Sequence, residues 1–204
     1  MTRHHSVRSY LGAALILAIV AAIGAASQSL LSIEKATITI AGTSNVHDYT
    51  ATTADAKITK VQFGSHVAGA TFWDEVQKPG GLTAFDLVIK ADSLKSSKDG
   101  LDKNMYKALK TKDHPVITFR LTRMDGIPGA LEATGLLKIA GVEREVTLPL
   151  KTVRKGDLLA VSGEIAVLMT DYGIEPPKAM MGMVKADPKV TVTFDVQLRT
   201  ASTN

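Results

Sequence analysis

The chain has no cysteine, only one Trp, four Tyr and five Phe among 204 residues, and no long apolar run beyond residue 26. Without cysteine there is no disulfide scaffold, Cys-ligated zinc site, iron–sulfur cluster or thiol nucleophile. Without a later apolar run there is no second segment able to cross a membrane as a helix. Signature motifs are missing as well: the sequence contains no G-x-G-x-x-G, P-loop, H-E-x-x-H or G-x-S-x-G, which removes the usual marks of dinucleotide binding, phosphate cradling, zinc proteolysis and serine hydrolysis. An excess of one charge is also lacking. The formal net charge is +4 from 24 basic and 20 acidic residues; Arg3 and Arg8 lie in the leader described next, so 22 basic residues face 20 acidic ones in the remainder. Those charges are interspersed along the chain, and a phosphate-tracking surface needs clustered basic residues interleaved with aromatics, so nucleic acid is excluded as a partner. The charged fraction is nonetheless 22%, and that balance with the apolar content describes a folded chain of a size that builds one sizeable core.

What is present begins with a leader. Residues 1–9 contain Arg3, His4, His5 and Arg8 and no acid, and Leu11 to Ala26 is an unbroken small and apolar run. Gly24 and Ala26 sit two apart, as small residues do before a cleavage point. Basic start, apolar middle and small-residue exit predict a secretory signal peptide over 1–26, and hence an exported protein, periplasmic or secreted. The run of 16 residues falls short of the ~20 needed to span a bilayer; the alternative is an uncleaved anchor. No cysteine follows the run, which excludes a lipoprotein. The remainder, 27–204, is expected to form a single domain.

That remainder alternates with period two. In 190–199, Val190, Val192, Phe194, Val196 and Leu198 alternate with Thr191, Thr193, Asp195, Gln197 and Arg199, the pattern of a half-buried strand. The same pattern appears at 83–90 (Phe85, Leu87, Ile89), 116–122 (Ile117, Phe119, Leu121) and 131–139 (Leu131, Ala133, Leu137, Ile139). It recurs at 145–153 (Val146, Leu148, Leu150) and 158–169 (Leu159, Val161, Ile165, Val167, Met169), with weaker runs at 36–42 and 56–63. Gly135 and Gly163 interrupt two of these rows, and Pro149 predicts an edge or a bulge in the 145–153 strand. Turn residues separate the runs, and this spacing predicts an antiparallel sandwich or barrel. One helix is expected before Pro115, where Leu101, Met105 and Leu109 recur every four residues behind Asp99 and Asp102. A short helical turn is expected over Lys178–Met181 after Pro176-Pro177, and Trp73 is expected at a strand end.

Four segments in order carry a resemblance. Ile40-Ala41-Gly42-Thr43-Ser44-Asn45-Val46-His47-Asp48-Tyr49 is similar to a G-T-S-x-x-H-D-W opening, with Tyr49 where Trp is frequent. Leu87 to Phe119 gives a strand, a short helix and P-x-I-x-F; Ala133 to Val142 gives T-G-x-L-x-I-x-G-V. Val161-Ser162-Gly163-Glu164, then Met169-Thr170-Asp171-Tyr172-Gly173-Ile174, Pro176-Pro177 and Val190–Leu198 complete the series. Over about residues 33–200 the chain resembles the YceI-like polyisoprenoid-binding family. The resemblance implies an all-β, eight-stranded antiparallel lipocalin-like barrel with one short helix insertion, and a channel holding a polyisoprenoid or isoprenoid-quinone-like lipid for transport or storage, with a cell-envelope stress role in view. It implies no catalytic residue, no metal and no cofactor other than a bound isoprenoid lipid or quinone. Transient membrane contact would accompany such a cargo. Inward-row candidates for the channel are Phe85, Leu87, Phe119, Leu121, Leu137, Leu148, Ile165, Phe194 and Val196; Tyr172, Met180 and Met181 are candidates for its mouth.

Two other readings stay open at this stage. One is a hydrolase or metal-dependent enzyme on the same barrel using His47, Asp48 and His114, with Ser44 near His47. The other is a ligand-free structural barrel. The leader makes its own prediction: the intact mass of protein recovered from the cell envelope should correspond to a chain starting at about residue 27. A full-length mass would show a retained anchor instead.

Overall fold

The computed structural model describes residues 31–65, 67 and 69–200; the expected leader over 1–26 and His66 lie outside the described residues. The strands are β1 (Leu31–Ser44), β2 (Tyr49–Thr53), β3 (Ala56–Phe63), β4 (Leu82–Lys90) and β5 (Val116–Ile127). They continue with β6 (Ala130–Ile139), β7 (Val142–Lys155), β8 (Leu158–Leu168), β9 (Lys178–Ala179) and β10 (Val184–Thr200). Two helices join them, α1 (Phe72–Val76) between β3 and β4 and α2 (Asp99–Ala108) between β4 and β5. All ladders are antiparallel, in the order β2-β1-β10-β8-β7-β6-β5-β4-β3, with β9 paired to β10 off this path. Eight long strands thus make the curled sheet of the expected lipocalin-like fold, and β2 and β9 are short additions.

Two-residue turns set much of the register. Ile127 pairs with Ala130 across Pro128-Gly129, Ile139 with Val142 across Ala140-Gly141, and Lys155 with Leu158 across Gly156-Asp157. Gly129, Gly141 and Gly156 all take positive φ (97°, 85° and 60°), where a side chain is strained and glycine is not. The strands also carry bulges that the period-two reading foreshadows only in part. Ile58 and Val61 are three apart because the β3–β4 register shifts between Ile58 and Lys60. In β5 the shift falls between Leu121 and Arg123. The extra residue moves the inward row from Ile117, Phe119 and Leu121 onto Met124, which pairs with Ala133. Gly135 lies opposite this bulge, facing Leu121.

Pro149 is neither on an edge strand nor at a bulge. β7 pairs with β6 from Val142 to Lys151, but its ladder to β8 starts at Leu150. The proline therefore sits where pairing on that side has stopped, and its missing N–H costs no bond. Two further expectations are corrected. Trp73 belongs to α1, not to a strand end, and its indole N–H donates to the Asp157 carbonyl at 3.2 Å. Lys178–Met181 is not one helical turn: Lys178 and Ala179 pair with Lys185 and Val184, and a 3-10 turn over Met180–Gly182 closes that hairpin.

The sheet does not close by a continuous ladder; among the described residues none joins β2 or β1 to β3. The seam is stitched by the segment that follows β4. Thr52 and Lys95 exchange backbone hydrogen bonds at 2.8 and 2.9 Å, and the Thr53 and Ser93 hydroxyls meet at 2.7 Å.

Three rings lie over glycines on neighbouring strands. A Cβ at Gly42 would fall on the Tyr49 phenol, one at Gly135 on the Arg120 carbonyl and the Phe119 ring, and one at Gly163 on the Pro149 carbonyl and the Phe194 ring. The glycine gives each ring a seat against the sheet wall. Gly163→Ala is expected to destabilise the protein by about 1–3 kcal/mol, as overpacking does, read as a lower urea midpoint at unchanged slope. Adding Phe194→Leu should recover part of that loss; no shift in either variant would show that the seat is not a tight fit.

Candidate functional site

Curling the sheet turns one row of each strand inward, and those rows are apolar. They enclose two cavities, of about 230 Å³ and about 160 Å³. Both are lined by Ile40, Ile117, Ile139 and Val192, so they abut at these four side chains and follow one another as two parts of a channel along the inside of the sheet. Each part exceeds an apolar cavity of ~150 Å³, a size that stays dry and takes up benzene.

The larger part is walled by side chains from nearly every long strand. Phe85 and Leu87 of β4, Phe119 and Leu121 of β5, and Leu137 of β6 line it. Leu148 of β7, Ile165 of β8 and Phe194 of β10 complete that set. Val196, in the same row of β10, is not among the lining residues; it packs against the cluster of Leu31, Trp73, Leu159 and Leu198. The lining also takes in Leu82, Met124, Leu131, Leu150, Leu159 and Val161, which the sequence reading did not single out. Most of them continue the same alternating rows, and Met124 enters through the β5 bulge.

One end of this part is sealed by α1. Trp73, Val76 and Gln77 project there, with Thr152 of β7 opposite. Gln77 and Thr152 are the only polar side chains among its lining residues, and both are satisfied. The Thr152 hydroxyl donates to Gln77 Oε1 at 2.5 Å and accepts from the Gly129 amide at 2.9 Å. The Gln77 amide donates to the Trp73 carbonyl at 2.8 Å. Each polar group of the plug thus has a partner in the protein, and the wall it gives this cavity is apolar.

The smaller part lies at the other end, under α2. Leu101, Met105 and Leu109, the helix row expected from the sequence, line it together with Tyr49, Tyr172, Ile174, Pro177 and Val184. Tyr172 is buried and its phenol is pushed up by that burial, and further by Asp171, against a smaller opposing effect of Arg144. Met180 and Met181 do not line the channel. They stand on the 3-10 turn beside it, 66% and 101% exposed, with Met183 (63%) and Val46 (63%). Both take positive φ, 50° and 55°, an uncommon conformation for residues other than glycine. Asn45 ties this turn to the β1–β2 loop: its amide donates to the Met183 carbonyl at 2.8 Å and its oxygen accepts from the Lys185 amide at 2.7 Å.

Polar groups at this end are mostly engaged. The Ser44 hydroxyl donates to the His47 carbonyl at 2.8 Å and accepts from the His47 amide at 3.1 Å, while His47 Nδ1 lies 3.0 Å from the Asp48 carbonyl. Ser44, His47 and Asp48 are thus linked through backbone atoms as a turn, not as a side-chain relay. His114 is elsewhere, its ring against Gly141. Among the described residues no group of three or more His, Asp or Glu side chains converges to hold a metal ion. Tyr49 is the exception to this satisfaction. Its hydroxyl is shut off from solvent and has no hydrogen-bond partner among the described residues. A buried hydroxyl left so costs ~1–3 kcal/mol. Burial, and then the field of Asp187, push its phenol above the ordinary range, so it is neutral and keeps its proton.

Asp102, buried on the first turn of α2, ties the helix to the segment before it. It accepts from the Ser96 amide at 2.8 Å and lies 3.8 Å from Lys95 Nζ. Hydrogen bonding from Ser96, and then the charge of Lys95, hold its carboxyl below the ordinary carboxylate range.

Comparison with known proteins places this architecture. The family model described as YceI-like domain matches residues 33–198. Among solved structures, Burkholderia cenocepacia BcnA superposes with a TM-score of 0.63 at 14% identity, covering 81% of this chain and 96% of its own. A polyisoprenoid binding domain from Saccharophagus degradans, implicated in plant cell wall breakdown, gives 0.61 at 14% identity, covering 84% and 99%. A Campylobacter jejuni YCEI protein gives 0.54 at 16% identity, covering 72% and 82%. At these identities the likeness is one of fold. No curated protein matches the chain in sequence.

The Asp102 contacts generate a pH prediction. A depressed folded pKa stabilises the ionised state, so the contribution is present above the unfolded value of about 3.9 and is lost as pH falls through the lower folded value. Amide exchange in α2 should therefore quicken in the native protein as pH drops below about 4, once corrected for intrinsic exchange. Asp102→Asn should quicken it at neutral pH and remove most of that acid dependence. Equal protection in both proteins across the range would show that Asp102 does not anchor the helix.

Proposed function

The chain belongs to the YceI-like domain family, and on that premise we propose that it is an exported, non-enzymatic carrier of a polyisoprenoid or isoprenoid-quinone lipid. The observation that carries this reading is the pair of abutting apolar cavities along the inside of the sheet, with their one polar plug internally satisfied. A prenyl chain is the matching cargo. It is long, narrow and apolar, and each buried CH₂-sized group contributes about 0.8 kcal/mol. Several isoprene units give a large driving force before the cost of ordering the chain is subtracted. The solved Saccharophagus degradans relative of the same fold is a polyisoprenoid binding domain, which supports the choice of cargo. In this reading Phe85, Leu87, Phe119, Leu121, Leu137, Leu148, Ile165 and Phe194 contact the chain, and Val196 supports the wall.

The leader over 1–26 supports export to the periplasm, where a water-soluble carrier shields such a lipid between membranes. Met180, Met181, Met183 and Val46 offer an exposed apolar edge beside the channel end, suited to transient contact with a membrane during loading. The reading is tested by isolating the protein natively from its own host, extracting it with organic solvent and analysing the extract by mass spectrometry. A prenyl lipid at close to one per protein chain is the expected result. An extract free of prenyl species would overturn it.

A further inference from the structure

The channel has two differently equipped ends. At the α1 end, Gln77 and Thr152 bond each other and neighbouring backbone, leaving a ligand only apolar contact. At the α2 end, the Tyr49 hydroxyl is sealed from solvent and has no partner among the described residues. Its direction is fixed by the strand pairing. Tyr49 pairs with Gly42 on β1, and a Cβ there would collide with the phenol carbon and oxygen. The ring is thus held on the inward face, on the wall of the channel. From these observations, and resting on the carrier reading above, we infer that Tyr49 is a specificity-determining residue that hydrogen-bonds an uncharged oxygen, a hydroxyl or a carbonyl, at the end of the bound lipid.

The surrounding charges favour a neutral oxygen over a phosphate. Lys178, the one lysine among the residues lining this end, is paired with Glu175 at 2.7 Å. Asp187 places negative charge near the phenol, and Asp171 does the same near Tyr172. An anionic end group brought here would meet the negative charge of Asp187 and of Asp171, the latter offset only in part by Arg144, with no unpaired lysine among the lining residues, and it would lose its hydration besides. A hydroxyl or carbonyl needs only one donor, and the Tyr49 hydroxyl supplies it. The polar end of the lipid then lies under α2, with the prenyl tail running toward the α1 plug.

The test compares four probes with one prenyl chain length on the full chain: geranylgeraniol, a quinone bearing the same chain, the corresponding hydrocarbon, and geranylgeranyl diphosphate. Native protein should bind the alcohol and the quinone more tightly than the hydrocarbon, and the diphosphate no more tightly than the hydrocarbon. Tyr49→Phe should weaken the alcohol and the quinone by about three- to tenfold, the worth of one hydrogen bond. It should leave the hydrocarbon within about twofold, since no partner is lost there. A loss confined to one of the two oxygen-bearing probes supports the inference and names that head group. Unchanged affinity for both in Tyr49→Phe, or native preference for the diphosphate, overturns the inference while leaving the carrier reading intact. Failure of the native protein to bind any of the four overturns both.

Discussion

Burial of the inward apolar rows holds the sheet curled, and most other features serve that burial or accommodate it. Ladder neighbours such as Leu87 and Phe119, Phe119 and Leu137, and Ile165 and Val192 place apolar side chains next to one another across successive strands. Water is excluded from that surface only while the sheet stays rolled, because among the described residues no ladder closes its seam. The bridge between Thr52 and Lys95 and the Thr53–Ser93 contact are therefore small in number but well placed. They pin two margins that hydrophobic burial has already brought together.

The two ends of the channel solve the same problem with different materials. The α1 end is closed by a short helix whose polar groups are matched internally, with Gln77, Thr152, Trp73 and Gly129 in one bonded set. A set of that kind is rigid because breaking one bond strands its partner. The α2 end is covered by a helix of ten residues that rests on Leu101, Met105 and Leu109 and on one anchored carboxylate. Its polar ties run mostly to the segment just before it, with Tyr106 donating to the Leu94 carbonyl at 2.7 Å, and the adjacent turn exposes its methionines. The two ends thus differ in what closes them: a bonded polar set at one, and a helix resting on apolar side chains at the other.

Much of this was legible in the residues, for a physical reason. Period-two alternation is a direct record of a sheet with one face toward the core, so Val190 to Leu198 announced β10 and Ile117 to Leu121 announced most of β5. The reading of β5 ended at residue 122 because the bulge reverses which residues point inward, and Met124 then looks out of phase. β2 has one large side chain in five residues, Tyr49, too little for a periodic signal. Trp73 was misplaced because a five-residue helix leaves no room for a 3.6-residue repeat. As for the channel, alternation names the face a residue occupies but not whether that face is filled. Phe194 and Val196 are indistinguishable in sequence, yet one lines the cavity and the other packs behind it. The pairing of Tyr49 with Gly42 depends on register, which the sequence carries only indirectly.

The glycine seats have a consequence for the bore of the channel. At Gly42, Gly135 and Gly163 an aromatic ring is laid into the strand beside it, where any other residue would push it toward the axis. Three backbone positions thus bear on the width inside the sheet. A lineage that kept the same inward side chains but replaced one of these glycines would narrow the passage at that level. Gauge and lining are separately adjustable: the glycines bear on the width, and the rows between them on the apolar surface that faces inward.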